Sequence, residues 1–68
     1  MDMRELKGLE LAARARIVFA DGMWLVPSQS GSGKYRVVLQ PGAETCTCDD
    51  FALRGGPCKH IHAARITR

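Results

Sequence analysis

Two short apolar runs in the first half of the chain predict a β-hairpin. Residues 16–20 and 23–26 are rich in β-branched and aromatic side chains, and an Asp-Gly pair lies between the two runs. Asp-Gly between such runs is typical of a two-residue hairpin loop with a type I′ turn. Because a loop of this length sets the strand register, we expect Phe19 to lie opposite Trp24.

Two further strands are predicted after the hairpin. Residues 28–33 have the Ser and Gly composition of a loop. In residues 34–40, every second side chain is apolar, which places Tyr35, Val37 and Leu39 on one face of a strand. Residues 41–44 predict a turn that leads into a β-favouring stretch at residues 45–48. The pattern therefore indicates an antiparallel sheet of three to four short strands.

Periodic apolar residues predict a helix at each end of the chain. Near the N-terminus they recur at steps of three and four, and Asp2 and Glu5 have the spacing of a capping box. Gly8 lowers the helix propensity of this stretch by about 1 kcal/mol relative to alanine. Since the hairpin is apolar on both faces, we expect residues 1–15 to form a helix packed on the sheet. A second helix is expected at about residues 60–68.

Length and composition limit the chain to one small domain. The sequence has 68 residues, of which 46% are hydrophobic and 25% are charged. Folds of this size bury only about 60% of the surface of the unfolded chain, so they usually need a covalent or metal cross-link. No apolar run approaches the roughly 20 residues that cross a bilayer, and the N-terminus is charged where a signal peptide is apolar. We therefore expect a cytoplasmic protein that does not bind membranes.

Three cysteines and a histidine have the pattern of a metal site. Cys46 and Cys48 form Cys-x-Cys, and after nine intervening residues Cys58 and His60 form Cys-x-His. Three cysteines cannot all pair, and the cytosol keeps thiols reduced, so the pattern favours metal binding over disulfides. Residues two apart on a strand point to the same side, so both sulfurs of the first pair can reach one ion. For the second pair, we expect Cys58 in a turn and His60 in the first turn of the following helix.

Alternatives exist for the ligand set. His62 also follows Cys58 closely and competes with His60 as the fourth ligand, although it lies farther round the helix. Asp49 and Asp50 carry ligand atoms too, but an Asp before apolar residues more often caps a helix. Three buried free cysteines without a metal are a further alternative.

Three cysteines and one histidine together favour one structural zinc ion. A tetrahedral Cys3His site is closed, and it leaves no position for water or substrate. Binding of zinc is worth roughly 10–16 kcal/mol in zinc-finger peptides, which is large beside a core of this size. Three thiolates and one Zn²⁺ change the formal charge of +3 by −3 and +2, which leaves +2. We therefore predict a small α+β domain that is stabilised by zinc.

The residues around these ligands resemble the SWIM zinc finger. Cys46-Thr47-Cys48-Asp49-Asp50-Phe51 and Pro57-Cys58-Lys59-His60-Ile61 are close to the usual sequence of that family, and the strands with Trp24 and Tyr35 precede them. The resemblance makes residues 16–68 a SWIM-like finger with a strand-strand-zinc-helix fold. It implies Cys46, Cys48, Cys58 and His60 as the zinc ligands.

The same resemblance carries expectations about function. SWIM fingers are found in bacterial and plant transposases, chromatin-remodelling ATPases and some signalling kinases, and their assigned role is binding of DNA or protein rather than catalysis. We expect the chain to be the N-terminal part of a longer, transposase-like protein.

The charge balance favours DNA as the partner. Ten Lys and Arg residues against seven Asp and Glu residues give a sequence pI of about 9.1. We expect contacts to phosphates more than to base edges. The basic residues expected to form this surface are Lys34, Arg36, Arg54, Lys59, Arg65 and Arg68.

The sequence also bears on two other classes of function, a protein-interaction module and a zinc enzyme. A protein-interaction module, in which Trp24 and the two-sided apolar hairpin contact another domain or a second copy, is the alternative to DNA binding. A zinc enzyme needs an open coordination position and a general base, and the sequence offers neither convincingly. We therefore expect no catalytic activity and no small-molecule substrate.

Overall fold

The described part of the chain forms three helices and four strands. The computed structural model describes residues 2–28, 31 and 33–68, so three residues of the predicted loop at 28–33 lie outside the described part. None of the described helices is both long and apolar enough to span a membrane. In chain order the elements are α1 (Met3–Arg14), β1 (Val18–Ala20), β2 (Met23–Pro27), β3 (Lys34–Gln40), β4 (Ala43–Cys46), α2 (Asp49–Arg54) and α3 (Lys59–Thr67).

The four strands form an antiparallel sheet in the order β1-β2-β3-β4. Phe19 lies opposite Trp24, which confirms the register predicted from the hairpin. The two loop residues, Asp21 and Gly22, have φ values of 53° and 76°, and positive φ at both positions is the mark of a type I′ turn. The pairing of β1 with β2 is therefore determined by the residues of the turn between them.

The fourth strand begins and ends earlier than the sequence predicted. Gln40 already pairs with Ala43, because Pro41 and Gly42 make a tight two-residue turn with Gly42 at φ 75°. The strand ends at Cys46, so the predicted stretch 45–48 is only half strand.

Helix α1 packs against α3, and α3 in turn packs against β2, β3 and β4. Among the described elements α3 is thus the main neighbour of α1, and the buried Leu11 of α1 shares one core with Val26 and Val37 of the sheet. Gly8 is buried at this contact, where a Cβ atom would lie 2.5 Å from the Cβ of His62. The absence of a side chain at Gly8 lets the two helices approach closely.

One side of the sheet, together with α1 and α3, encloses the core. Val26 and Val37 from the sheet and Leu11 and Ile61 from the helices are fully buried there. Successive residues of a strand face opposite ways, so Lys34 and Arg36 of β3 lie on the other side of the sheet from Val37 and are exposed. The architecture confirms the predicted fold class, with an N-terminal helix, an antiparallel sheet and helices at the C-terminal end.

Candidate metal centre

The first pair of cysteines lies at the junction of β4 and α2. Cys46 pairs with Val37 across the sheet and is 7% exposed. Cys48 has extended backbone angles, φ −79° and ψ 161°, and is the N-cap of α2, where its Sγ accepts a hydrogen bond from the Phe51 N–H at 3.5 Å. The prediction of an aspartate cap is therefore wrong, because the cysteine makes the capping contact while Asp49 and Asp50 lie in the first turn.

The second pair lies at the junction of α2 and α3. Gly55 ends α2 with φ 73°, a left-handed conformation that glycine adopts without strain. Cys58 is the N-cap of α3, and His60 lies in the first turn, as the sequence predicted. Cys58 has extended backbone angles, φ −95° and ψ 176°, so the side-chain directions of a regular helix do not apply to this pair.

The four side chains meet at one point. The ligand atoms of Cys46, Cys48, Cys58 and His60 all lie within 4.8 Å of one another, and all four residues are buried. The Nδ1 atom of His60 is 3.7 Å from the Sγ of Cys46 and 3.8 Å from the Sγ of Cys58. In a tetrahedral zinc site, bonds of about 2.3 Å to sulfur and about 2.0–2.1 Å to nitrogen hold neighbouring ligand atoms about 3.5–3.8 Å apart. The spacing fits one zinc ion with Nδ1 as the nitrogen ligand.

Other potential ligands lie elsewhere. Among the described residues, the group of Cys, His, Asp and Glu side chains close enough to hold a metal consists of these four alone. His62 is half-buried and faces α1, where its Cβ lies beside Gly8. Asp50 forms an ion pair with Arg4 and is not part of the ligand cluster among the described residues.

The thiols differ in how readily they ionise. The hydrogen bond with Cys46, followed by the contact with His60, lowers the pKa of Cys58 against the opposing effect of burial. The same hydrogen bond, together with burial, raises the pKa of Cys46, and burial raises the pKa of Cys48. Cys58 is thus the thiol that ionises most readily, and Cys46 and Cys48 would have to lose their protons for all three sulfurs to hold Zn²⁺.

Two ion pairs bracket the site. Arg4 of α1 donates from Nε to Oδ2 of Asp50 at 2.9 Å and from a terminal nitrogen to Oδ1 at 3.0 Å, and this pairing lowers the pKa of Asp50. Arg65 of α3 makes the equivalent two-pronged contact with Glu44 of β4 and lowers the pKa of Glu44. These contacts fix α1 to α2 and α3 to β4, on either side of the ligands. No local pattern predicts that Arg4 pairs with Asp50, because the two residues are 46 positions apart in the chain.

The predicted basic surface is distributed over several elements. Lys34 and Arg36 are exposed and share the outer face of β3, while Arg54 and Arg68 are exposed at the ends of α2 and α3. Lys59 is half-buried beside the metal ligands. Arg65 is engaged with Glu44 and therefore contributes little positive charge to a partner.

Tyr35 also lies at the site, although no sequence pattern predicts its contact with a ligand. Its ring lies against the imidazole of His60, with the two centroids 4.2 Å apart. The alternation of residues 34–40 predicts that Tyr35 shares a face with Val37 and Leu39, but its contact with His60 depends on how α3 lies on the sheet.

A buried Cys3His cluster formed by a strand end and two helix starts defines this protein as a small zinc-binding domain. Residues 35–65, just under half of the chain, match the family model of the SWIM zinc finger. The match and the ligand cluster confirm the predicted resemblance and the predicted zinc cofactor. No curated protein and no solved structure matches the chain.

Proposed function

We propose that this zinc finger is a DNA-binding module that contacts the phosphate backbone through the outer face of its sheet. The observation that carries the proposal is the placement of Lys34 and Arg36. Both side chains are exposed and lie two residues apart on one strand, so they point the same way. Neither takes part in an ion pair within the described part of the chain.

The internal ion pairs support this choice of face. Arg4 and Arg65 already form ion pairs with Asp50 and Glu44, so they are poor candidates for phosphate contacts. Lys34 and Arg36 follow the loop after β2, and they face away from the helices and the metal. Basic side chains that project from a rigid strand can follow the phosphates of a duplex without reading its sequence.

The zinc ion has a structural role in this proposal. Four protein ligands complete a tetrahedral site, so the metal has no open position at which to activate water. We therefore propose no catalytic activity for the module. A reducing, intracellular location belongs to the same proposal, because the ligands must remain thiols. The transposase-like parent protein is proposed from the family resemblance alone.

Duplex DNA titrations at several salt concentrations test the proposal. Replacing Lys34→Gln and Arg36→Gln together removes two phosphate contacts and should reduce the slope of log affinity against log salt by about 2. The matched control is Arg14→Gln with Arg16→Gln, which removes the same charge from exposed positions at the end of α1. Fluorescence anisotropy with zinc-loaded protein measures both slopes. Equal slopes for the two double variants, or affinity that ignores salt, would rule out this binding face.

One observation favours protein binding as a second function. Phe19 is 56% exposed and its ring packs on that of Trp24 with the centroids 4.8 Å apart and the planes inclined by 55°, and the neighbouring residue Val18 is 42% exposed. An exposed aromatic residue on an edge strand, such as Phe19 on β1, is a typical interface anchor. If the finger self-associates through this edge, sedimentation should show a dimer that Phe19→Ser converts to monomer. A wild-type protein that stays monomeric at high concentration would argue against self-association.

A further inference from the structure

The ring of Tyr35 packs on the imidazole of His60 inside the core. The centroids are 4.2 Å apart and the ring planes are inclined by 32°, so the two rings are in close contact at a moderate tilt. His60 is 5% exposed, and its Nδ1 atom points at the sulfurs of Cys46 and Cys58. Tyr35 therefore touches the face of the ring whose edge carries the nitrogen ligand.

Backbone pairing within the sheet sets the position of Tyr35. Val37, two residues further along β3 and on the same face, pairs with the ligand Cys46 on β4. On its other side Tyr35 pairs with Val26 of β2, which is fully buried. The backbone of Tyr35 is thus paired directly with β2, and its strand is paired with β4 from Val37 onwards.

An imidazole ligand must be held at the correct angle to bind a metal well. In many metal sites this is done by a hydrogen bond to the second ring nitrogen, and loss of that partner costs about 10–100-fold in metal affinity. We infer that Tyr35 is a positioning residue of the zinc site, in which its ring restricts rotation of the His60 side chain and keeps Nδ1 directed at the metal. The role belongs to the ring face, and the hydroxyl group is not needed for it.

Zinc affinity of three variants tests this inference. Tyr35→Leu removes the stacked ring and should lower the affinity for Zn²⁺ by about tenfold or more, measured in competition with a chromophoric chelator. Tyr35→Phe keeps the ring and should bind zinc as the wild-type chain does. Trp24→Leu is the matched control, because it also replaces a half-buried aromatic residue on the inner face of the sheet, on the neighbouring strand, but its ring packs on Phe19 where the ring of Tyr35 packs on His60.

A spectroscopic measurement separates ligand positioning from general stability. Substitution by Co²⁺ gives visible bands that depend on ligand geometry, and these should change in Tyr35→Leu but not in Tyr35→Phe or Trp24→Leu. Equal loss of affinity in Tyr35→Leu and Trp24→Leu would overturn the inference, as would loss in Tyr35→Phe.

A measurement on the unmodified protein covers the case in which Tyr35→Leu does not fold. In the NMR spectrum of the zinc-loaded wild-type chain, the ring current of Tyr35 should displace the carbon-bound ring protons of His60 upfield. His62 serves as the internal reference, because it lies on the same helix and faces α1. Ring protons of His60 without this displacement would show that the stack does not form, and the inference would fail.

Discussion

His60 and the three cysteines are as buried as the aliphatic residues around them. Cys58 and Ile61 are both fully inaccessible to solvent, and Cys48 is 5% exposed. Each ligand is therefore a core side chain as well as a metal ligand. Removing one ligand weakens zinc binding and also leaves a polar atom in an apolar surrounding, where an unpaired polar group is unfavourable.

Substitution of Cys48→Ser tests this double role. A serine hydroxyl is a poor zinc ligand, so the variant should lose the single bound ion, and with it much of the roughly 10–16 kcal/mol that zinc contributes in finger peptides. Native mass spectrometry measures the ion, and the amide dispersion of a heteronuclear NMR spectrum measures the fold. The control is Thr45→Ser, an exposed position on the adjacent strand, which should keep both. A Cys48→Ser protein with native dispersion and one zinc ion would contradict the ligand scheme.

At the scale of elements, α1 is joined to the zinc finger at two points. Its Gly8 lies against α3, and its Arg4 binds Asp50, which lies in the first turn after the ligand Cys48. The segment that matches the SWIM family begins at residue 35, so both contacts connect residues outside that segment to it. The N-terminal helix is thus packed as part of the same domain.

Replacement of Gly8→Ala separates helix propensity from helix packing. Propensity alone predicts that alanine stabilises α1 by about 1 kcal/mol. The new Cβ would lie 2.5 Å from the Cβ of His62 and 3.0 Å from the carbonyl oxygen of Lys59, so the helices must move apart. We expect the free energy of unfolding to fall by about 1–3 kcal/mol, the usual cost of overpacking.

Denaturant unfolding of the zinc-loaded protein measures this change. Gly56→Ala is the control, since a Cβ atom there meets nothing within 4 Å and its φ is not positive. A Gly8→Ala protein more stable than the wild-type chain would show that α1 and α3 are not in close contact.

At the scale of the whole molecule, the metal centre joins the sheet to the helices. Its ligands come from the end of β4, the N-cap of α2, and the N-cap and first turn of α3. Helix α3 also carries the packing surface for α1. An ion at this junction therefore determines the position of every helix relative to the sheet.

Removal of the metal should unfold the whole domain, including the N-terminal helix. We expect EDTA to abolish the cooperative thermal transition seen by circular dichroism, because a core of this size rarely supplies more than about 3–5 kcal/mol. Adding Zn²⁺ in excess should restore the transition. Mg²⁺ is the control and should not, since it prefers oxygen ligands. A chain that keeps its transition after complete removal of zinc would contradict the structural role of the metal.

Patterns confined to neighbouring residues were predicted well from the sequence. The Asp-Gly loop led to the correct hairpin register, and the paired Cys-x-Cys and Cys-x-His spacings led to the four residues that the structure brings together. The end of β4 was misjudged, because Pro41 and Gly42 close the turn within two residues and shift the strand towards the N-terminus. The capping role of Cys48 was missed, since its sulfur accepts a bond that is usually made by Asp.

The amino-acid sequence by itself determined the hairpin, the ligand types and the presence of a helix at each end, because each depends on turn chemistry, side-chain alternation or spacing over a few residues. Only the tertiary structure decided that α1 lies on α3, that Arg4 pairs with Asp50 and that Tyr35 stacks on His60. These contacts join residues far apart in the chain, and they depend on the angles at which packed elements meet, which no local pattern of residues encodes.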